Sequence, residues 1–175
     1  MSKSLWEKCV DFHGHECGGL TIGFKASQYA SELLDLDFSR DEEIVCISEN
    51  DACGVDAIQV LLGCSVGKGN LLFKIRGKQA FSFYNRKNDK SVRLVLKSRP
   101  LGMTREESFS YYQEANPEDI FDVKEIKVEV PERARLFNSH LCDQCKESTA
   151  EHLLVLKKGE KHCLDCYVPY NRFDI

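Results

Sequence analysis

The chain reads as an α+β protein, a mixed helix-and-sheet core followed by a small four-cysteine finger. Three observations predict this. Strand-like segments follow one another through the middle of the chain, where strict βαβ alternation would place helices between them. Segments of helical periodicity lie on both sides of that run. Two Cys-x2-Cys pairs, Cys142/Cys145 and Cys163/Cys166, close the chain.

The elements follow in order. From Gly18 to Leu34 the apolar positions Leu20, Phe24, Ala26, Ala30, Leu33 and Leu34 share one helical face. Residues 42–48, "EEIVCIS", are short, apolar and β-branched, and read as a strand. Residues 54–64, "GVDAIQVLLGC", read as a buried helix opening just after the capping candidates Asn50 and Asp51. Strands are expected at 70–75, 79–85 and 91–98, the last with Val92, Leu94 and Leu96 alternating with polar residues. Thr104 and Glu107 form a capping box that opens a helix through about Ala115, and Asn116-Pro117 starts a short helical turn. A strand over 122–130, ending in the alternation Ile126, Val128, Val130, closes the core. Pro131 and the charged residues after it set the boundary, giving a core of 1–133 and a finger of 134–175.

The 175 residues are 42% hydrophobic, enough for a packed core, and 30% charged, which suits a solvated surface. A net charge of −4 gives no general pull toward nucleic acid or anionic lipid. No apolar run approaches the roughly 20 residues that span a bilayer, and the first residues lack a secretory apolar stretch, so a cytoplasmic protein is expected. Nine cysteines in a reducing compartment point to metal or thiol chemistry rather than a disulfide framework.

The finger carries the strongest signal. Each Cys-x2-Cys turn aims two thiolates at one centre, and two turns complete a tetrahedral S4 shell. The segment between them reads as a hairpin with Lys158-Gly159 near its tip, which returns the second pair to the first. So short a module needs a staple, and structural Zn2+ supplies on the order of 10 kcal/mol. Iron also accepts four thiolates, so zinc is the preferred ion rather than a deduced one. A closed four-cysteine shell points to structure, not catalysis. Residues 136–175 hold five Lys/Arg (Lys146, Lys157, Lys158, Lys161, Arg172) and six Asp/Glu (Asp143, Glu147, Glu151, Glu160, Asp165, Asp174). That balance disfavours phosphate binding, so the finger is expected to meet a protein partner or its own dimer rather than nucleic acid.

At the other end, "DFHGHECGGL" holds His13, His15 and Cys17 at alternate positions. In looping or extended backbone all three project to one side, and Gly14 with Gly18-Gly19 favours a loop. Cys17 would then sit at the N-terminus of the helix beginning at Gly18, where the dipole favours a thiolate. Cys53 also sits at a helix start and is the chosen partner of this loop. Cys64 would lie about 16 Å further along an unbroken helix, so it reads as a buried thiol or a supporting group. "GCSVGKGN" is not a P-loop: the spacing is one residue short, and Gly69 stands where a magnesium-binding hydroxyl belongs. It is a turn carrying a lysine, Lys68, that can meet an anion.

Four stretches, "FHGHECGGLTIGFKAS", "CGVDAIQVLLGCSVGKGNLLF", "GKQAFSFYNR" and "SVRLVL", together resemble the formylmethanofuran dehydrogenase E-subunit family over most of residues 11–98. The four-cysteine finger is similar to an extension found in some members. The resemblance implies an α+β core, an HGH-x-C loop contributing to a metal or active site, and homodimers of an intertwined kind. The matching positions are His13, His15 and Cys17, then Cys53, Asp56 and Cys64, with Lys68 and Lys78 in two Gly-Lys dipeptides. Gly18 stands where many members have proline, and "IRGK" replaces the more usual Asp-Tyr-Gly-Lys. The family's own redox chemistry belongs to a molybdenum or tungsten cofactor on another subunit.

Three functions follow as expectations. The first is a metal-binding accessory or redox-associated protein, with a second transition metal held in the core by His13, His15, Cys17 and Cys53. The second is a metal sensor or regulator acting through the finger. The third is a small thiol enzyme with Cys17 or Cys53 as nucleophile and His13 or His15 as base.

Overall fold

The computed structural model describes residues 3–170 and 172, and it divides the chain into two units, Met1–Ala134 and Arg135–Ile175. Asp174, counted in the finger's charge, lies outside the described residues.

The first unit opens on a helix that the periodicity reading passed over, α1 (Leu5–His13). Its signal is the capping box of Ser4 and Glu7, and its end is Gly14, in the left-handed region at φ 93°. Its apolar face is short: Trp6, Cys9 and Val10 pack with Leu20, Phe24 and Ala57. The long helix α2 (Gly18–Leu34) follows as expected. Then come β1 (Ile44–Ser48), α3 (Gly54–Leu62), β2 (Leu71–Phe73), β3 (Ala80–Asn85) and β4 (Lys90–Leu96). The helix α4 (Arg105–Glu114) carries the Thr104/Glu107 capping box, and α5 (Pro117–Ile120) and β5 (Phe121–Lys124) complete the unit.

The five strands form one sheet in the order β2-β1-β3-β4-β5. Only the β1/β2 pair is parallel, which the intervening α3 permits; β3, β4 and β5 pair antiparallel. Helices cover one face, where Ile22, Ala26 and Leu34 of α2 and Ile58 and Leu62 of α3 meet Cys46, Phe81, Phe83 and Leu94. Val45, Ile47 and Tyr84 point to the other face and pack with Leu72, Ile126 and Val128. Both faces are covered, which explains why all five residues of β1 are buried and why its sequence is a continuous apolar run.

The strand expected over 70–75 pairs only over Leu71–Phe73, and α3 has Cys53, not Asn50 or Asp51, at its N-cap, Asn50 Oδ1 accepting the Ala52 N–H instead. Two further sequence readings change. The strand expected over 122–130 pairs only through Lys124; beyond it, Ile126 and Val128 lie on the back of the sheet, and the Tyr84 hydroxyl donates to the Val128 carbonyl. Alternation there reports a half-buried extended strap, not a ladder. The helix expected over 54–64 stops at Leu62, because Gly63 turns left-handed at φ 68° and a Cβ there would sit 2.3 Å from the Ser39 carbonyl oxygen.

One close approach sets the site. A Cβ on Gly23 would lie 1.9 Å from the Gly54 carbonyl oxygen, so bare backbone is what lets α2 and α3 cross this tightly. The crossing brings the N-terminal ends of the two helices, with Cys17 and Cys53, side by side.

The second unit is built from two small antiparallel hairpins, β6 (Ser139–Leu141) with β7 (Ser148–Ala150), and β8 (Val155–Lys157) with β9 (Glu160–His162). A single 3-10 turn, Glu151–Leu153, joins them. Lys158 and Gly159 form the tip of the second hairpin with φ 53° and 88°, both positive as a type I′ turn requires. No α-helix occurs among its described residues. Its buried residues, among those described, are Cys142, His162 and Cys163. Sulfur stands where a larger domain would have an apolar core.

Candidate functional site

The core site assembles where α1 ends and α2 begins. His13 is the last residue of α1, Gly14 reverses the chain, and Cys17 caps α2 in extended conformation, its sulfur accepting the Leu20 N–H at 3.3 Å. The three side chains therefore converge across the short loop between α1 and α2, with His13 still in the last turn of α1. Trp6 Nε1 donates to Glu16 at 3.2 Å and ties the connection to α1. One ligand atom from each of His13, His15 and Cys17 lies within 4.8 Å of the others.

The geometry fits a metal. His13 Nε2 is 3.7 Å from Cys17 Sγ, and a tetrahedral ion bonding both at ordinary lengths needs about 3.6 Å between them. His13 Nδ1 meets Asp56 Oδ2 at 2.7 Å across 43 residues of sequence, so Nδ1–H donates to the carboxylate and Nε2 keeps its lone pair for a ligand. Gln59 Nε2 donates to the other Asp56 oxygen at 3.2 Å and holds that carboxylate still. The His15 ring lies 4.6 Å from that of His13, and His15 is exposed. Three protein donors with an exposed side is the arrangement that leaves a coordination position open. Asp56 stands among the matching positions, but its pairing with His13 does not follow from them. It sat in the quoted "CGVDA" motif, but only the α1–α3 packing aims it at His13.

Cys53 lies outside that group of three donors, yet it touches it. A Cβ placed on Gly19 would be 3.5 Å from the Cys53 sulfur and 3.9 Å from that of Cys17. Burial, then a hydrogen bond with Cys17 and the charge of that neighbour, raise the Cys53 thiol above its ordinary pKa. Its own sulfur takes no cap hydrogen bond from α3. Cys64 lies elsewhere: fully buried, it donates to the Ile44 carbonyl, and burial pushes its pKa up to about 12. Lys68 does not wait for an anion. Its ammonium donates to the Ser39 carbonyl at 2.8 Å and lies over the Phe38 ring, holding the turn. Lys78 lines a groove with Glu49 and Arg93 instead of the histidine site.

In the second unit the four sulfurs of Cys142, Cys145, Cys163 and Cys166 lie within 4.8 Å of one another. A tetrahedral shell with bonds of about 2.3 Å needs sulfurs about 3.8 Å apart. Cys145 and Cys163 are 3.8 Å apart. The Cys163 N–H donates to Cys142 Sγ at 3.4 Å, and such backbone donors draw the Cys142 thiol down to about 6. Hydrogen bonding with Cys163, burial and the other sulfurs push Cys166 up to about 12. The group could bind a metal ion, whose charge would offset four crowded thiolates.

Comparison with known proteins places the fold in a family. A family model described as "FmdE, Molybdenum formylmethanofuran dehydrogenase operon" matches residues 12–147. A crystal structure of a tungsten formylmethanofuran dehydrogenase FmdE-like protein from Syntrophus aciditrophicus superposes with a TM-score of 0.71 at 27% identity, covering 91% of this chain and 88% of that one. A curated protein of Archaeoglobus fulgidus, named a probable S-adenosyl-L-methionine-binding protein, is 28% identical over 195 residues. That alignment takes in 93% of this chain and 52% of the relative, so the chain spans about half the length of the curated protein it matches. Fold, motif order and the family match over residues 12–147 agree: this chain belongs to the FmdE family.

Proposed function

We propose that the chain is a metal-binding protein in which His13, His15 and Cys17 hold a transition metal at a working site, while Cys142, Cys145, Cys163 and Cys166 hold a structural zinc. The observation that carries this reading is the Asp56–His13–Cys17 line with His15 beside it. A metal bound there would act as a Lewis acid or electron carrier at its open position. Asp56 fixes the His13 tautomer, and Cys53 adds a neutral thiol next to Cys17. The role is an accessory or redox-associated one, as membership in a family named for a formylmethanofuran dehydrogenase operon supports. The archaeal relative's name suggests a place alongside S-adenosyl-L-methionine chemistry, although half of that protein lies beyond this chain.

Metal analysis tests the proposal. Anaerobically purified protein is expected to carry a tightly held zinc and a second, looser metal per chain, with Cys17→Ser losing only the looser one. A single metal per chain, unchanged in Cys17→Ser, overturns the core site.

The same line favours one second reading. Cys17, His13 and Asp56 stand in the order of nucleophile, base and orienting carboxylate. Metal binding ranks first because a triad has no use for His15. Iodoacetamide separates the two: faster labelling of Cys17 than of the other thiols in metal-free protein, lost in His13→Gln, would favour the nucleophile.

A further inference from the structure

Cys17 borders a second feature, a cleft of about 550 Å³ on the side of α2 that faces the loop before α4. Its walls include Cys17, Gln79, Arg99, Arg105, Ser108 and Tyr112. Two guanidinium groups line it, and among the described residues no carboxylate does. Arg99 donates to the Ser108 hydroxyl, and Arg105 has no ion pair or hydrogen bond among the described residues. An arginine without an acidic partner keeps its fork of donors for a planar anion. The placement is distinctive in a chain of net charge −4, where the average field repels anions and only local cations can hold one. The volume suits a small molecule rather than a macromolecular strand.

We propose that this cleft binds a small organic anion, its carboxylate or phosphate head held by Arg99 and Arg105 and its other end directed toward Cys17. This names the substrate class of the core metal site and so rests on that reading. Tyr112, buried on the cleft wall, offers a hydroxyl and a ring face to the body of the ligand. Nothing in the histidine cluster itself recognises a substrate; the arginines supply that recognition.

The test is a nitrogen-15 NMR titration of the full metal-loaded chain with malonate and, separately, inorganic phosphate. Saturable shifts are expected at the Arg99 and Arg105 side-chain Nε–H and at the Gly19 amide. Arg99→Gln with Arg105→Gln should weaken binding at least about 10-fold, as loss of charge-assisted hydrogen bonds does, while Arg105→Lys, which keeps the charge but not the fork, should fall between wild type and the double variant. Tighter binding of malonate than of phosphate marks a carboxylate ligand, and the reverse order a phosphate-bearing one. Shifts confined to the groove that Lys78, Glu49 and Arg93 line together with Lys74, Arg76 and Lys127, or equal affinity in the double variant with an unchanged spectrum, overturn the proposal. Metal content is measured on the same samples. Protein that carries the core metal but binds neither anion sinks this inference alone. Protein that binds malonate at the arginines but holds no core metal sinks the metal reading instead.

Discussion

At the scale of single residues, His13 depends on a partner far away in sequence. Asp56 orients its ring, and loss of such a carboxylate costs metal affinity about 10–100-fold. Asp56→Asn should therefore weaken the core metal by that factor in a chelator competition while leaving the four-cysteine metal unmoved; equal loss from both would show general unfolding. The buried thiols make a separate prediction. Burial raises Cys64 from an ordinary 9.0 to about 12 in the folded protein. A thiol whose folded pKa is raised stays neutral in the fold but ionises in the unfolded chain, so its stabilising share is complete below pH 9 and is lost as pH climbs toward 12. Each such thiol costs the fold up to about 1.4 kcal/mol per pH unit in that window. Denaturation midpoints should fall above pH 9, and Cys64→Val should flatten the fall.

At the scale of elements, the site is a product of helix ends. Ser4 caps α1, whose last residue is His13, so Ser4→Ala should cost about 1 kcal/mol and loosen His13 before it disturbs the sheet. Amide exchange along α1 reads that difference. The α2–α3 crossing is less forgiving. Gly23→Ala would drive a methyl into the Gly54 backbone, and overpacking of this kind costs about 1–3 kcal/mol. Thermal melting should show the loss, and core-metal occupancy should fall with it, because Cys17 and Asp56 sit on the two helices being forced apart. Unchanged stability in Gly23→Ala would mean that the two backbones are not in contact.

At the scale of the molecule, two units carry two kinds of site. Among its described residues the finger buries little besides Cys142, His162 and Cys163, so the zinc proposed for it would carry its fold, whereas the first unit has a sheet covered on both faces. A chelator should abolish the two hairpins of the second unit and leave the melting of the first unit nearly intact; one cooperative loss of both would contradict this. The homodimer that the resemblance implies is a proposal to be checked by light scattering. Among the described residues no helix is long and apolar enough to cross a membrane.

Much of this was legible in the residues themselves. The spacing of Cys142, Cys145, Cys163 and Cys166, the periodicity of Gly18–Leu34 and the capping box at Thr104 are local signals. Local signals survive because turns, caps and helix faces are set within a few residues. The quoted motifs identified the family for the same reason. What only the tertiary structure decided lies between segments: the pairing of Asp56 with His13, the contact of Cys53 with Cys17, the capture of Lys68 by the Ser39 carbonyl, and the strap of Ile126 and Val128 on the back of the sheet. None of these follows from spacing. Each depends on packing between segments distant in sequence, and at Gly23 and Gly54 bare backbone lets α2 and α3 approach and places the histidine loop beside α3.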